Sequence, residues 1–320
     1  MLLDIVLIVI GVAMVLYGAD RLTDGASALA RRMNVPEIVI GLTIVAAGTS
    51  APELFVSLVS ALKGTADLAV GNVVGSNTMN CMLIVGCAAL VAPMTISKST
   101  VKKDIPFSVG ASVILMLLAL DDYMDHIEGV LLLIAFAGFM AYTLTQARQS
   151  QTKQQQAGQI EEEPAPQTVK QQNLWLSIVF VLLGLTMLVV GSNLFVDAAS
   201  RVAYTLGVSE GVVGLTIVAG GTSLPELATS VVAARKGQSA LAIGNVIGSN
   251  VFNILLILGL TATITPLDID DITIVDMFVM LLSVVMVWLF SRTRYTVERW
   301  EGGLLVLLYL AYLGWLIGSL

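Results

Sequence analysis

The sequence predicts an all-α polytopic membrane protein: ten transmembrane helices in two inverted-topology five-helix repeats. Three observations carry this. Apolar residues fill 57% of 320 positions and charged residues only 12%, against about 25% charged in an average soluble domain. Apolar runs near the roughly 20 residues that cross a hydrocarbon core recur along the whole chain. Residues 41–86 and 214–259 repeat each other at an offset of 173 without a gap, with 29 identities in 46 positions.

The spans are expected near residues 2–19, 35–60, 67–92, 105–120, 128–146, 174–198, 208–233, 240–264, 272–290 and 302–320. The first run has no basic lead-in and no small-residue cleavage site, so it reads as a retained helix rather than a signal peptide. Residues 147–172 are Gln-rich, contain Glu161 to Glu163, Pro164 and Pro166, and show no apolar periodicity. They read as a disordered cytoplasmic linker between a first half, 1–146, and a second half, 173–320. Of the 16 Lys and Arg residues, 14 fall on one side of this arrangement and only Lys63 and Arg201 on the other. The basic side is expected to be cytoplasmic, which puts both termini outside. Five spans per half is an odd number, so the second half enters the membrane from the opposite side, a common plan for secondary transporters. The repeat continues upstream at the same offset, pairing Gly18 with Gly191, Asp24 with Asp197, Ser27 with Ser200 and Glu37 with Glu210.

Each repeat carries one glutamate, Glu53 or Glu226, within an apolar stretch. A carboxylate at mid-membrane is costly and marks a functional site. In the first copy it follows Gly48-Thr49-Ser50-Ala51-Pro52. Pro52 has no N–H, so the carbonyl of Gly48 loses its helical partner. Broken helices are tolerated at bilayer depth only where protein or a cavity receives them. Thr222, Ser223, Pro225 and Glu226 repeat the pattern, and Gly220-Gly221 loosens the second copy further. On the next helix Asn72, Ser76 and Asn80 share one stripe, as do Asn245, Ser249 and Asn253; Asn77 and Asn250 lie one position off it. These stripes read either as ligands or as helix-to-helix glue. Gly71/Gly75 and Gly244/Gly248 form GxxxG spacings that permit close helix approach. The donor set is therefore all oxygen, which suits Na⁺, Ca²⁺ or Mg²⁺ and not Zn²⁺ or Cu⁺. Two carboxylates balance one divalent ion or two monovalent ones. An empty pair resists occlusion in the membrane and a loaded pair passes, so a carrier of this design exchanges rather than leaks.

Other features have plainer readings. Cys81 and Cys87 lie off-face for a metal pair and read as small core residues. Glu37 and Glu210 stand near helix starts, where they cap. His126 reads as a loop residue, and the thirteen methionines as packing or lipid-facing groups. Asp121, Asp122, Asp125, Asp268, Asp270 and Asp271 read as solvated loops, with cation screening as the alternative. Asp24 and Asp197, near the membrane faces, serve either anchoring or ion entry. No basic aromatic patch points to nucleic acid, and no enzymatic constellation, cofactor motif or obligate protein partner is evident.

The blocks GTSAPEL…GNVVGSN and GTSLPEL…GNVIGSN resemble the paired alpha-repeats of the calcium/cation antiporter superfamily, in particular its sodium/calcium exchanger branch and prokaryotic members. The proton/calcium branch reads differently around its glutamate, so the resemblance favours sodium as the driving ion. It implies a central core of four repeat helices along which the first span of each half slides. It also implies a site of Ala46, Thr49, Ser50, Glu53, Ser76 and Asn80 with Ala219, Thr222, Ser223, Glu226, Ser249 and Asn253, the two alanines through their carbonyls. Some relatives carry Asp where this chain has Asn253, so the site here holds two carboxylates. The expected activity is exchange of Na⁺ for Ca²⁺ by alternating access. A proton- or potassium-coupled antiporter is the alternative, and a cation channel the rival of a different class.

Overall fold

The computed structural model describes residues 1–157, 174–207, 217, 219–269 and 272–318. In chain order the helices are α1 (Leu2–Arg32), α2 (Glu37–Thr49), α3 (Ala51–Leu62), α4 (Leu68–Val91), α5 (Thr100–Asp121), α6 (His126–Ala157), α7 (Leu174–Thr205), α8 (Ala219–Thr222), α9 (Leu224–Arg235), α10 (Ser239–Ile264), α11 (Ile274–Arg292) and α12 (Arg299–Gly318). Eight of them are long and apolar enough to cross a membrane, and α2 with α3 forms a ninth, bent span. The seventh span of the sequence reading is described only from its centre onward, as α8 and α9; Glu210 lies outside the described residues, as do Asp270 and Asp271.

Inversion is visible in two short ribbons. Strand β1 (Met94–Thr95) pairs antiparallel with β4 (Thr296–Val297), and β2 (Tyr123–Met124) with β3 (Leu267–Asp268). The offset of 173 carries β1 onto β3 and β2 onto β4, so each ribbon is the symmetry mate of the other. Each pairs one strand from each half.

α1 and α7 pack antiparallel along glycines seven residues apart. An ideal Cβ on Gly11 would lie 2.8 Å from the Gly191 carbonyl oxygen, one on Gly18 2.9 Å from that of Gly184, and one on Gly25 2.8 Å from that of Ser177. Small residues at these points bring the backbones into direct contact, the main source of attraction between helices in lipid.

Four sequence readings need correction. α1 does not stop at residue 19 but continues to Arg32, and α7 runs past 198 to Thr205. In α1 the extension starts at Asp20, whose charge ends the apolar run but is paired with Arg21 and Lys236, while Leu22, Ala26 and Ala30 keep a buried stripe. The linker reading of 147–172 fails over its first part, because α6 stays helical to Ala157. Gln, Ala, Lys and Arg dominate that stretch and are good helix formers. Residues 158–173 lie outside the described residues. His126 is not a loop residue: it opens α6, and its Nδ1 donates to the carbonyls of Ala262 and Thr263 at 3.1 and 3.0 Å. It thereby satisfies acceptors at the end of α10. Glu37 is the first residue of α2, but no side-chain hydrogen bond caps that helix; its carboxylate lies 3.9 Å from Arg31.

Candidate ion-binding site

The site forms where both broken spans meet. α2 and α3 are bent by 46° about Ser50, which has φ −81° and ψ 7°. Ser223, between α8 and α9, has φ −88° and ψ 7°. The same break therefore recurs in both halves, and Pro52 and Pro225 sit in the first turn after it. Proline suits that turn because its missing N–H has no helical role there.

The breaks aim each glutamate at the opposite half. Ser50 Oγ donates to Glu226 Oε1 at 3.2 Å, and Ser223 Oγ donates to Glu53 Oε1 at 3.2 Å. Ser223 Oγ also lies 3.1 Å from Ser76 Oγ, and Ser249 Oγ 3.4 Å from Glu226 Oε1. Thr49 Oγ1 donates to Asn245 Oδ1 at 3.1 Å and lies 3.5 Å from Ser249 Oγ. Both glutamates are 1% exposed, and Thr222 is buried beside them in sequence.

Asn80 and Asn253 form a second symmetric tier. Asn80 Nδ2 donates to Asn250 Oδ1 and Asn253 Nδ2 to Asn77 Oδ1, each at 2.9 Å. Asn77 and Asn250, off the predicted stripe, are thus the braces that turn the amide oxygens of Asn80 and Asn253 toward the interior. Their signal was the repeated GSN triplet. The backbone widens into π-helical turns beside this tier, at Asn80–Ile84 and Phe252–Leu258. Such turns are rare and concentrate at functional sites.

The ligand-or-glue question for the stripes divides by position. Asn72 Nδ2 donates to the Glu53 carbonyl and to Ser57 Oγ, and Asn245 Nδ2 to the Glu226 carbonyl and Ser230 Oγ. These two amides are braces that hold each glutamate helix to its neighbour. The GxxxG of α10 packs against the other half: a Cβ on Gly244 would lie 2.9 Å from the Ile38 carbonyl oxygen, and one on Gly248 2.7 Å from Ala46 Cβ. The carbonyl of Ala46 accepts the Ser50 N–H at 2.9 Å and faces Thr49 Oγ1 at 3.4 Å, so its second lone pair is lightly engaged. Ala219 opens α8.

Of the buried side-chain oxygens without a partner among the described residues, four belong to predicted site residues: Glu53 Oε2, Glu226 Oε2, Asn80 Oδ1 and Asn253 Oδ1. They are two symmetry-related pairs, and all four are acceptors. A buried acceptor without a donor costs about 1–3 kcal/mol, more when charged. The arrangement is chemically suited to a cation held by hard oxygens. Among the described residues no group of three His, Cys, Asp or Glu forms, so its formal charge comes from the two glutamates.

Two inverted repeats that meet at a pair of buried glutamates are the architecture of a secondary transporter. Comparison with known proteins agrees. The model of the family described as "Sodium/calcium exchanger protein" matches residues 3–145 and again 176–318, one match per half. The chain is 38% identical over 324 residues to the "Inner membrane protein YrbG" of Escherichia coli, covering 99% of this chain and 98% of that one. It is 31% identical over 343 residues to the "Sodium/calcium exchanger MaX1" of Methanosarcina acetivorans, covering 97% of each. The solved structure of the sodium-calcium exchanger NCX_Mj soaked with 2.5 mM Na⁺ and 0.1 mM Ca²⁺ superposes with a TM-score of 0.83 at 30% identity over 98% of both chains. The chain belongs to the sodium/calcium exchanger family and is a multi-pass cation antiporter.

Proposed function

We propose that this protein exchanges Na⁺ for Ca²⁺ across a prokaryotic plasma membrane by alternating access to one central site. The observation that carries the reading is the pair of carboxylates from inverted halves, each held on one oxygen by serine and unpartnered on the other. Glu53, Glu226, Ser76, Ser249, Asn80 and Asn253 line the site. Thr49, Ser50, Thr222 and Ser223 shape its two breaks, and the carbonyls of Ala46 and Ala219 complete it. Relatives whose names carry sodium/calcium exchange support the choice of ions. Burying two uncompensated carboxylates costs about 2.5–3.5 kcal/mol each on insertion scales. Reorientation is therefore favoured only when cations neutralise them, which makes transport an exchange. The excess of basic residues on one side makes that side cytoplasmic and places both termini outside.

The test is ⁴⁵Ca²⁺ uptake into sodium-loaded proteoliposomes. Uptake driven by an outward Na⁺ gradient at equal pH and without K⁺ is expected. Uptake that needs a pH gradient instead, or that requires K⁺, assigns the alternative coupling. Ca²⁺ flux with no counter-ion at all overturns the exchanger reading in favour of a channel.

A further inference from the structure

The two halves obey their symmetry closely at the site and the ribbons, and they break it sharply at one pair of lysines. Lys236 follows α9 and Lys63 follows α3; they are repeat mates. Each precedes a glycine with positive φ, Gly64 at 78° and Gly237 at 74°. Lys236 Nζ reaches α1, lying 2.7 Å from Asp20 Oδ1, 2.7 Å from Asp24 Oδ1, 3.0 Å from Thr23 Oγ1 and 2.9 Å from the Asp20 carbonyl. Four oxygens surround one ammonium, whose side chain is 24% exposed. The symmetry mate of Asp24 is Asp197 on α7. Lys63 and Asp197 are both exposed, and among the described residues neither has an ion-pair partner.

We propose that Lys236 with Asp20 and Asp24, and Lys63 with Asp197, are two latches that engage alternately and hold opposite faces of the carrier shut. An isolated surface ion pair contributes little, but Lys236 binds two carboxylates, a hydroxyl and a carbonyl, and ties the sliding helix of one half to the glutamate helix of the other. Inverted symmetry then requires that a movement releasing Lys236 from α1 brings Lys63 toward α7. The latches are unequal, because the mate of Asp20 is Asn193. The engaged latch has two carboxylates and the other only one, which biases the ion-free carrier toward the arrangement seen here. With the basic side cytoplasmic, that arrangement is closed inside and unlatched outside. This inference rests on the alternating-access reading but not on which ions are exchanged.

The experiment uses the full chain in membranes with Cys81→Ser and Cys87→Ser as background. In it, Lys236→Cys with Asp24→Cys, or Lys63→Cys with Asp197→Cys, is cross-linked with a short bis-maleimide. The first pair is expected to cross-link rapidly without ions. The second pair is expected to react at least threefold more slowly, and adding Lys236→Ala to it should raise its rate at least threefold. Lys236→Arg, which keeps the charge, should leave that rate unchanged and controls for folding. A second pair that never cross-links with both ions present, or whose rate ignores Lys236→Ala, overturns the latch. Neither readout measures calcium flux, so a failed exchange assay leaves this test intact.

Discussion

Replacing Glu226 with glutamine should stabilise the ion-free protein while abolishing its response to calcium. Glu226 is 1% exposed, its Oε1 accepts from Ser50 and Ser249, and its Oε2 has no partner. Glutamine keeps an acceptor for both serines, so the local packing survives. It removes a buried charge that costs about 2.5–3.5 kcal/mol on insertion scales. It leaves an amide N–H₂ where Oε2 stood, which returns about 1 kcal/mol of unmet hydrogen bonding. The ion-free variant should therefore be about 1–3 kcal/mol more stable than the parent. Calcium at one hundred times its dissociation constant stabilises a one-site parent by about 2.7 kcal/mol, and the variant should lose that gain. Thermal unfolding in detergent, followed by tryptophan fluorescence with chelator or with Ca²⁺, reads both changes. Glu53→Gln should behave alike, because Ser223 holds its Oε1 and its Oε2 is equally unpartnered. A variant that keeps the calcium-dependent shift, or is less stable than the parent without ions, refutes the assignment.

Two further outcomes follow from the packing. Gly184→Ala places a Cβ 2.6 Å from the Leu22 backbone nitrogen and 2.8 Å from the Gly18 carbonyl oxygen; it should cost about 1–3 kcal/mol and slow exchange, whereas Gly138→Ala, with nothing within 4 Å, should leave flux in proteoliposomes unchanged. Ser192 Oγ donates to the Gly221 carbonyl, in the last turn of α8 before the break; Ser192→Ala should cost about 1–3 kcal/mol and shift the calcium dependence of uptake, while Ala19→Ser, at the equivalent position of the first half, should not destabilise.

Much of this was legible beforehand because it is periodic. A gapless repeat, an odd number of spans per half and a basic excess on one side determine an inverted ten-helix carrier without any contact being known. Glu53 and Glu226 stood out because a charge in an apolar run violates local expectation. The helix ends were less legible. Hydropathy stops at Asp20, yet α1 continues, because Lys236 of the other half neutralises that acid. His126 looked like a loop residue for a similar reason: its partners, the carbonyls of Ala262 and Thr263, are 136 and 137 positions away.

The chain by itself thus determined the architecture and the residues whose spacing repeats. Only the tertiary structure decided how those residues divide the work. Ser50 and Ser223 serve the glutamate of the opposite half, Asn72 and Asn245 brace rather than face the site, and Asn77 and Asn250 orient the amides that do. Spacing along one helix says which side chains share a face, but not which atom of another half fills the space beside them. The sequence also repeats a lysine at Lys63 and Lys236, while among the described residues only Lys236 is ion-paired.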